Sequence, residues 1–264
     1  MITRLGINGA CGRMGLRLIQ LAREDAEIAV IAALERPHHP CLGHDIGEVA
    51  GLGRVGVPIS TSLPLSERPD VLVDFSSPEG TLQILRLALD RGIPLVVATT
   101  GHSQKQREEI EAAAHHIPLL VSPNLSLAMN VLMVLLEQAA RLLKGRDFDV
   151  EIIEMHHRFK KDAPSGTAHH LVKILQQQLG EGELRHGRAG MTGERVRGEI
   201  GVHAVRAGDL VGEHLVLFST LGESLHLGHR AHSRDCYARG ALLAAKFLVQ
   251  QPPGLYSMRD VLGL

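Results

Sequence analysis

Residues 2–8 form an apolar run that leads into Gly9-Ala10-Cys11-Gly12-Arg13-Met14-Gly15, and residues 16–22 and 28–34 follow as an apolar helical pattern and a second apolar run. Strand, glycine-rich turn, helix and strand within about thirty residues make a βαβ unit. Parallel strands cannot be joined by a tight turn, so the helix must cross over the sheet, and the first half is committed to parallel pairing. The alternation continues. Strands are predicted at 70–75, 94–98 and 117–121, with helices at 78–91 and 103–114. Ser76 or Ser77 precedes Pro78 as a cap, Gly92 closes that helix, and Ser103 caps the next. The Gly- and Pro-rich stretch 37–66 offers a short strand only at 57–59. The expected class is α/β, a Rossmann-type doubly wound parallel sheet covered on both faces.

The pattern then changes. Residues 125–144 read as one long helix, with Leu132, Leu135, Leu136, Ala139, Leu142 and Leu143 at helical spacing. A strand at 150–156 and a helix at 167–179 follow. From Gly198 onward the reading is mostly antiparallel strands: one at 200–205, then a hairpin of 213–219 and 224–229. A helix at 236–249 and a short tail at 255–264 end the chain. Its Leu242, Leu243, Phe247 and Leu248 need an apolar partner, which a return to the first domain supplies. The domain plan is 1–126 completed by 237–264, with 127–236 as a second α+β domain carrying an open mixed sheet.

Composition narrows the function. A net charge of -1 removes the electrostatic reason to expect nucleic acid or an anionic membrane as partner. No apolar run approaches the roughly 20 residues of a membrane span, and no signal-peptide pattern opens the chain. Three scattered cysteines, Cys11, Cys41 and Cys236, without CxxC spacing fit a reducing cytoplasm and argue against a disulfide framework or a metal centre. The histidine doublets 38–39, 115–116 and 169–170 lack cysteine or carboxylate at ligand spacing.

Two segments carry chemistry. The GxxGxxG turn is a variant of the dinucleotide fingerprint, at the first strand-to-helix junction, where glycines let a pyrophosphate approach the helix N-terminus. Glu35 lies twenty residues past Gly15, at the end of the second strand, placed to accept from ribose hydroxyls. It would repel a 2′-phosphate, whereas Arg36 beside it could pair with one, so both NADH and NADPH are expected. Ala98-Thr99-Thr100-Gly101 and Ser122-Pro123-Asn124-Leu125-Ser126 end later strands, where ligands of such sheets bind, and could meet the nicotinamide.

The second segment is EMHHRFKKDAPSGTA, Glu154 to Ala168. A strand that ends in imidazoles and ammonium groups, then opens onto a helix N-terminus, suits a small, multiply anionic substrate. His156 and Lys160 are the candidate acids. Lys160 among other cations is expected to release its proton near neutrality. Lys160 and Ser165 with the N–H groups of Gly166 and Thr167 form an anion cradle. Lys161 is expected on the solvent side, and Asp162 is expected to fix the loop through backbone hydrogen bonds.

GACGRMG, LER, ATTG, SPNLSLAMN, EIIEMHHRFKKDAPSGTA and VRAGDLVGEH together resemble the 4-hydroxy-tetrahydrodipicolinate (dihydrodipicolinate) reductase family, over nearly the whole chain. The resemblance implies a Rossmann domain completed by the C-terminal helix, a central substrate and tetramerisation domain, and a homotetramer. It implies that NADH or NADPH reduces a cyclic, dicarboxylated imine-type substrate with loss of water. It further implies that Gly9, Ala10, Cys11, Gly12, Arg13, Met14, Glu35, Arg36, Ala98, Thr99, Thr100, Ser122, Pro123, Asn124 and Leu125 hold the cofactor. His156 is then the proton donor or acceptor, Lys160 the proton donor, and His157, Gly166 and Thr167 bind substrate. ATTG stands where the family more often has GTTG, so the Ala98 methyl is expected to alter cofactor affinity without abolishing it. A semialdehyde dehydrogenase would need a nucleophilic cysteine beside a base, and a nucleotide sensor would need no proton donors.

Overall fold

The computed structural model describes residues 2–180 and 182–264. They fall into two compact units: the chain up to Leu127 together with Arg234–Leu264, and Ala128–Ser233 between them.

The first unit holds β1 (Thr3–Asn8), α1 (Arg13–Glu24), β2 (Ile28–Leu34), α2 (Ile46–Val49), β3 (Ile59–Ser60), β4 (Val71–Asp74), α3 (Pro78–Arg91), β5 (Leu95–Val97), α4 (Gln104–Ala113) and β6 (Pro118–Val121). Its seven-stranded sheet has the order β12-β6-β5-β4-β1-β2-β3, and every pairing is parallel. This is the doubly wound order, whose switch point lies between β1 and β4. The strands are buried on both faces. Leu5, Ile7, Val71, Leu72, Val73, Leu95, Val96 and Val97 have no exposed surface, which explains why they read as unbroken apolar runs. The 57–59 strand is realised as the two-residue β3, paired with the end of β2.

Capping signals set the helix limits. Ser77 accepts from the Gly80 N–H, Pro78 stands in the first turn of α3, and Gly92 ends it in the left-handed region. Ser103 and Gln106 form a capping box on α4. The C-terminal segment belongs to this unit. α7 (Asp235–Leu248) packs on α1, with Ala238, Ala241, Ala245 and Leu248 in one core with Leu18, Ile19 and Ala22. The segment expected as a tail contains β12 (Gly254–Tyr256), which extends the sheet beside β6, and α8 (Met258–Val261).

The second unit contains most of α5 (Leu127–Leu143), then β7 (Asp149–His156), α6 (Gly166–Leu179), β8 (Leu184–His186), β9 (Ile200–Arg206), β10 (Glu213–Thr220) and β11 (Glu223–Arg230). Its five strands run in the order β11-β10-β7-β9-β8. The hairpin β10–β11 and the pair β10–β7 are antiparallel, but β9 lies parallel to β7 and β8. That corrects the mostly antiparallel reading: α6 crosses over after β7, so the chain re-enters the sheet in the same direction. One face packs on α5 and α6 through Val150, Ile152, Val202, Val216 and Phe218. The other presents Ile153, Met155, Leu215 and Leu217, all only partly buried. Glu151 lies on this second face, gripped by Arg188, Arg195 and His203.

Candidate active site

In the first unit the ligand-facing groups are mainly backbone. Gly9 has φ +77, and a Cβ there would stand 2.7 Å from the Phe75 carbonyl oxygen. A Cβ on Gly15 would stand 2.3 Å from the Gly9 carbonyl oxygen. The turn therefore admits no side chain at either position. Gly12 is the N-cap of α1; no described side chain caps this helix, and its first turn holds no acidic residue. An uncapped, positively polarised helix start is what a phosphate anion needs. A cavity of about 520 Å³ opens beside it, lined by Asn8, Gly9, Gly12, Glu35, Arg36 and Ser76 among others. These features fit a dinucleotide.

Glu35 follows β2 and reaches back over the turn. Its Oε2 accepts from the Cys11 N–H at 3.1 Å and its Oε1 from the Arg36 N–H at 3.0 Å. Arg13 and Arg36 are exposed, Ala10 is fully buried, and Met14 and Ala98 pack on the core. Ala98 thus places its methyl against the sheet core. Thr100 is exposed. The loop after β6 is self-braced: Ser122 Oγ donates to the Asn124 carbonyl at 2.8 Å, and Asn124 Oδ1 accepts from the Ser126 N–H at 2.9 Å. Leu125 is buried in the core, and Pro123 is exposed. What this loop offers a ligand is shaped backbone.

Asp74, at the end of β4, escaped the sequence reading. Fully buried, its carboxylate accepts from Asn8 Nδ2 at 2.7 Å, Ser76 Oγ at 2.5 Å, Thr81 Oγ1 at 2.6 Å and Thr99 Oγ1 at 2.7 Å. It ties the ends of β1, β4 and β5 into one polar knot. The Thr99 hydroxyl is spent on this knot and also accepts from the Ser76 N–H at 3.0 Å. Asp-Phe-Ser-Ser-Pro at a strand end, an acid after three apolar residues with hydroxyls following it, was the available signal.

In the second unit the alternation of β7 builds the site. Val150, Ile152, Glu154 and His156 share one face, so the face that is apolar core lower down becomes two titratable groups at the strand's end. Glu154 is fully buried. It accepts from Arg206 Nη1 and Nη2 at 2.8 and 2.7 Å and from the Ser165 N–H at 3.0 Å, and it meets His156 Nδ1 at 2.6 Å. Burial alone would raise its pKa, but the hydrogen bonds from His156 and Arg206 outweigh it and hold the carboxyl at about 2. A carboxylate bound to Nδ1 orients the imidazole and leaves Nε2 to exchange protons.

Arg206 was also missed, although its pairing opposite His156 in the β7–β9 register places it there. Besides gripping Glu154 it donates to the Asp162 carbonyl at 2.6 Å, pinning the 157–165 loop. His214, opposite Glu154 on β10, is a third buried group the sequence did not flag. Burial, reinforced by His156, lowers its pKa to about 3, so it is a neutral ring. Its Nε2 lies 3.2 Å from Ser165 Oγ, and its ring meets that of His156 edge-on with centroids 5.3 Å apart.

Ser165 is the N-cap of α6, accepting from the Ala168 N–H at 3.1 Å. With 2% of its surface exposed, its hydroxyl organises the helix start and does not itself face a ligand. Gly166 and Thr167 supply first-turn N–H groups, which lack intrahelical acceptors. A Cβ on Gly166 would meet nothing within 4 Å, so the helix mouth is open. His157 is half-buried with its ring against Phe159. Lys161 is exposed. Lys160 Nζ lies 2.9 Å from Asp162 Oδ1. Its immediate neighbour is thus an anion and not the expected cations, and Asp162 acts through its side chain as well as its backbone.

The comparisons with known proteins agree over both units. Residues 3–125 match the family model "Dihydrodipicolinate reductase, N-terminus" and 128–262 match "Dihydrodipicolinate reductase, C-terminus". The 4-hydroxy-tetrahydrodipicolinate reductase of Methanopyrus kandleri is 47% identical over 261 residues, covering 96% of this chain and 94% of that one. That of Syntrophus aciditrophicus is 44% identical over 262 residues, 97% of each chain. Among solved structures, dipicolinate-bound dihydrodipicolinate reductase from Paenisporosarcina sp. TG-14 is similar with a TM-score of 0.76, at 26% identity and covering 97% of this chain and 98% of that one. An amine dehydrogenase from Mycobacterium smegmatis, 13% identical with a TM-score of 0.61 over 96% of this chain and 94% of that one, shares the fold. With both halves matched and relatives above 40% identity along their full length, the chain belongs to the dihydrodipicolinate reductase family.

Proposed function

We propose that the chain reduces 4-hydroxy-tetrahydrodipicolinate to tetrahydrodipicolinate with loss of water, using NADH or NADPH, in diaminopimelate and lysine biosynthesis. The observation that carries the residue assignments is the buried Glu154 carboxylate clamped between Arg206 and His156 at the head of α6. Gly9, Ala10, Cys11, Gly12, Arg13 and Met14 would hold the pyrophosphate at the start of α1, with Glu35 on the ribose and Arg36 on adenine or a 2′-phosphate. Backbone of Ala98, Thr99, Thr100, Ser122, Pro123, Asn124 and Leu125 would meet the nicotinamide end. The bound nicotinamide supplies the hydride.

The chain's own residues handle charge and protons. Hydride addition to a conjugated C=C–C=N system leaves negative charge on the far carbon and nitrogen, which an acid must quench. His156 gives that proton from Nε2. Glu154 stabilises the imidazolium that precedes the transfer and keeps the ring in one orientation. Lys160, once exchanged from Asp162 onto substrate, donates the proton with which the 4-hydroxyl leaves as water, the loss that creates the conjugated system. The N–H groups of Gly166 and Thr167, with His157, bind the substrate carboxylates. A dehydrogenase built on a cysteine nucleophile is disfavoured, since burial pushes the thiols of Cys11 and Cys236 upward, Cys11 to about 12.

The half-buried apolar face of Ile153, Met155, Leu215 and Leu217 supports assembly into a homotetramer. No helix among the described residues is long and apolar enough to cross a membrane, and we place the enzyme in the cytoplasm. The direct test follows NADH absorbance with the enzymatically made condensation product of pyruvate and aspartate semialdehyde. Oxidation of one NADH per product molecule is expected. No oxidation with either nucleotide would end the reading.

A further inference from the structure

The glycine-rich turn and the loop after β2 bring together three side chains that take no part in the proposed proton and hydride chemistry; Cys11 lies in the turn assigned to the pyrophosphate, but there through its backbone and not its sulfur. A sulfur of Cys11, a ring nitrogen of His39 and a sulfur of Cys41 lie within 4.8 Å of one another, each on a half-buried residue. Cys11 is joined to the other two only by the fold, thirty positions from Cys41, but Cys41 lies two residues past His39, which corrects the expectation that the 38–39 doublet has no cysteine at ligand spacing. We propose that Cys11, His39 and Cys41 form a three-ligand site for a soft divalent cation of the Zn²⁺ class, with water completing the tetrahedron.

The donor set is the one such ions select: two thiolates and an imidazole. With metal–sulfur bonds of about 2.3 Å, tetrahedral donors stand about 3.8 Å apart, so the side chains have only to close by about 1 Å. The Cys41 N–H donates to His39 Nδ1 at 3.3 Å, which keeps a lone pair on the nitrogen facing Cys41. Ligation through Nδ1 would replace this long hydrogen bond, and ligation through Nε2 would keep it as a brace on the ring.

Charge points the same way. The Glu35 carboxylate is held against the cluster by the Cys11 N–H. The Cys11 thiol is pushed up by burial first, then by Glu35 and Cys41. A dication reverses the last two causes, so binding releases protons and tightens as pH rises. Coordination would staple the phosphate-facing turn to the segment that carries His39 and Cys41.

The test needs neither nucleotide nor substrate, so its failure and that of the proposed reaction are separable. Full-length protein, stripped with a chelator and kept reduced with a phosphine, is titrated with Co²⁺ and then Zn²⁺. One Co²⁺ per chain is expected, with a strong thiolate-to-cobalt charge-transfer band and tetrahedral visible bands that Zn²⁺ erases. Cys41→Ser should weaken binding about 100-fold or more and His39→Ala about 10-fold or more, whereas Cys236→Ser should change neither. Cys41 lies outside the glycine turn, so this arm decides even if Cys11→Ser fails to fold. A titration without the charge-transfer band, or a band that survives Cys41→Ser unchanged, would overturn the site.

Discussion

The two units prepare a ligand surface in opposite ways. In the first, the surface is main chain at an uncapped helix start, and side chains such as Asp74 and Ser122 hold the neighbouring backbone in shape. In the second, a strand's inward alternation carries titratable side chains into the core, where Glu154, His156 and His214 are buried and Arg206 closes on Glu154. A surface made of backbone is broken by adding an atom; one made of buried charge is broken by removing one.

The largest effect should come from the second unit. Glu154→Ala leaves Arg206 and His156 facing an empty position, and breaking such a buried pair costs about 3–5 kcal/mol, readable by chemical denaturation. A cost below about 1 kcal/mol would show that the clamp is dispensable. Next, His156→Ala or Lys160→Ala should cut turnover about 100-fold or more while the affinity for NADH, followed by its fluorescence, stays unchanged. Matched losses in both quantities would erase the division of labour between the units.

In the first unit, Gly9→Ala introduces a Cβ against Phe75 at a left-handed position, at about 1–3 kcal/mol, so NADH binding should weaken at least about fivefold. Glu35→Ala should be milder, weakening NADH by at most about fivefold and NADPH less. Equal losses would remove the carboxylate from the ribose.

Acid sharpens the contrast further. Glu154 falls from 4.5 to about 2 in the folded state, so its contribution is complete above pH 4.5 and is lost as pH falls toward 2. His214 falls from 6.5 to about 3 because it is buried neutral; the unfolded ring binds the proton first, so this contribution is complete above pH 6.5 and declines below it. His214→Gln should therefore flatten the fall in stability between pH 6.5 and 4.5, a slope of up to about 1.4 kcal/mol per pH unit. An unchanged slope would show that the ring charges without penalty.

The same contrast explains what could be read from the chain. The βαβ start, the capped helices α3 and α4 and the hairpin β10–β11 are local, written in glycine, proline and serine at fixed offsets. The His156–Thr167 segment was legible because strand, loop and helix start are contiguous. Asp74, Arg206 and His214 were not, since their partners lie across sheet pairings: Arg206 meets Glu154 only once β9 has docked parallel on β7. The parallel docking was itself missed because alternation reports a strand's faces and not its direction. Cys11 and Cys41 are a further case, joined by the turn of β1 and the exit of β2.

The last strand of the chain is an edge of the first sheet, and α7 supplies the cover over α1. During synthesis on the ribosome, the residues up to Leu127 emerge long before either piece exists. Until then Leu18 and Ile19 lack their apolar lid and β6 an edge partner, so the nascent amino-terminal part exposes apolar surface and an unpaired strand edge. Losing the final thirty residues should accordingly injure the half of the protein made first.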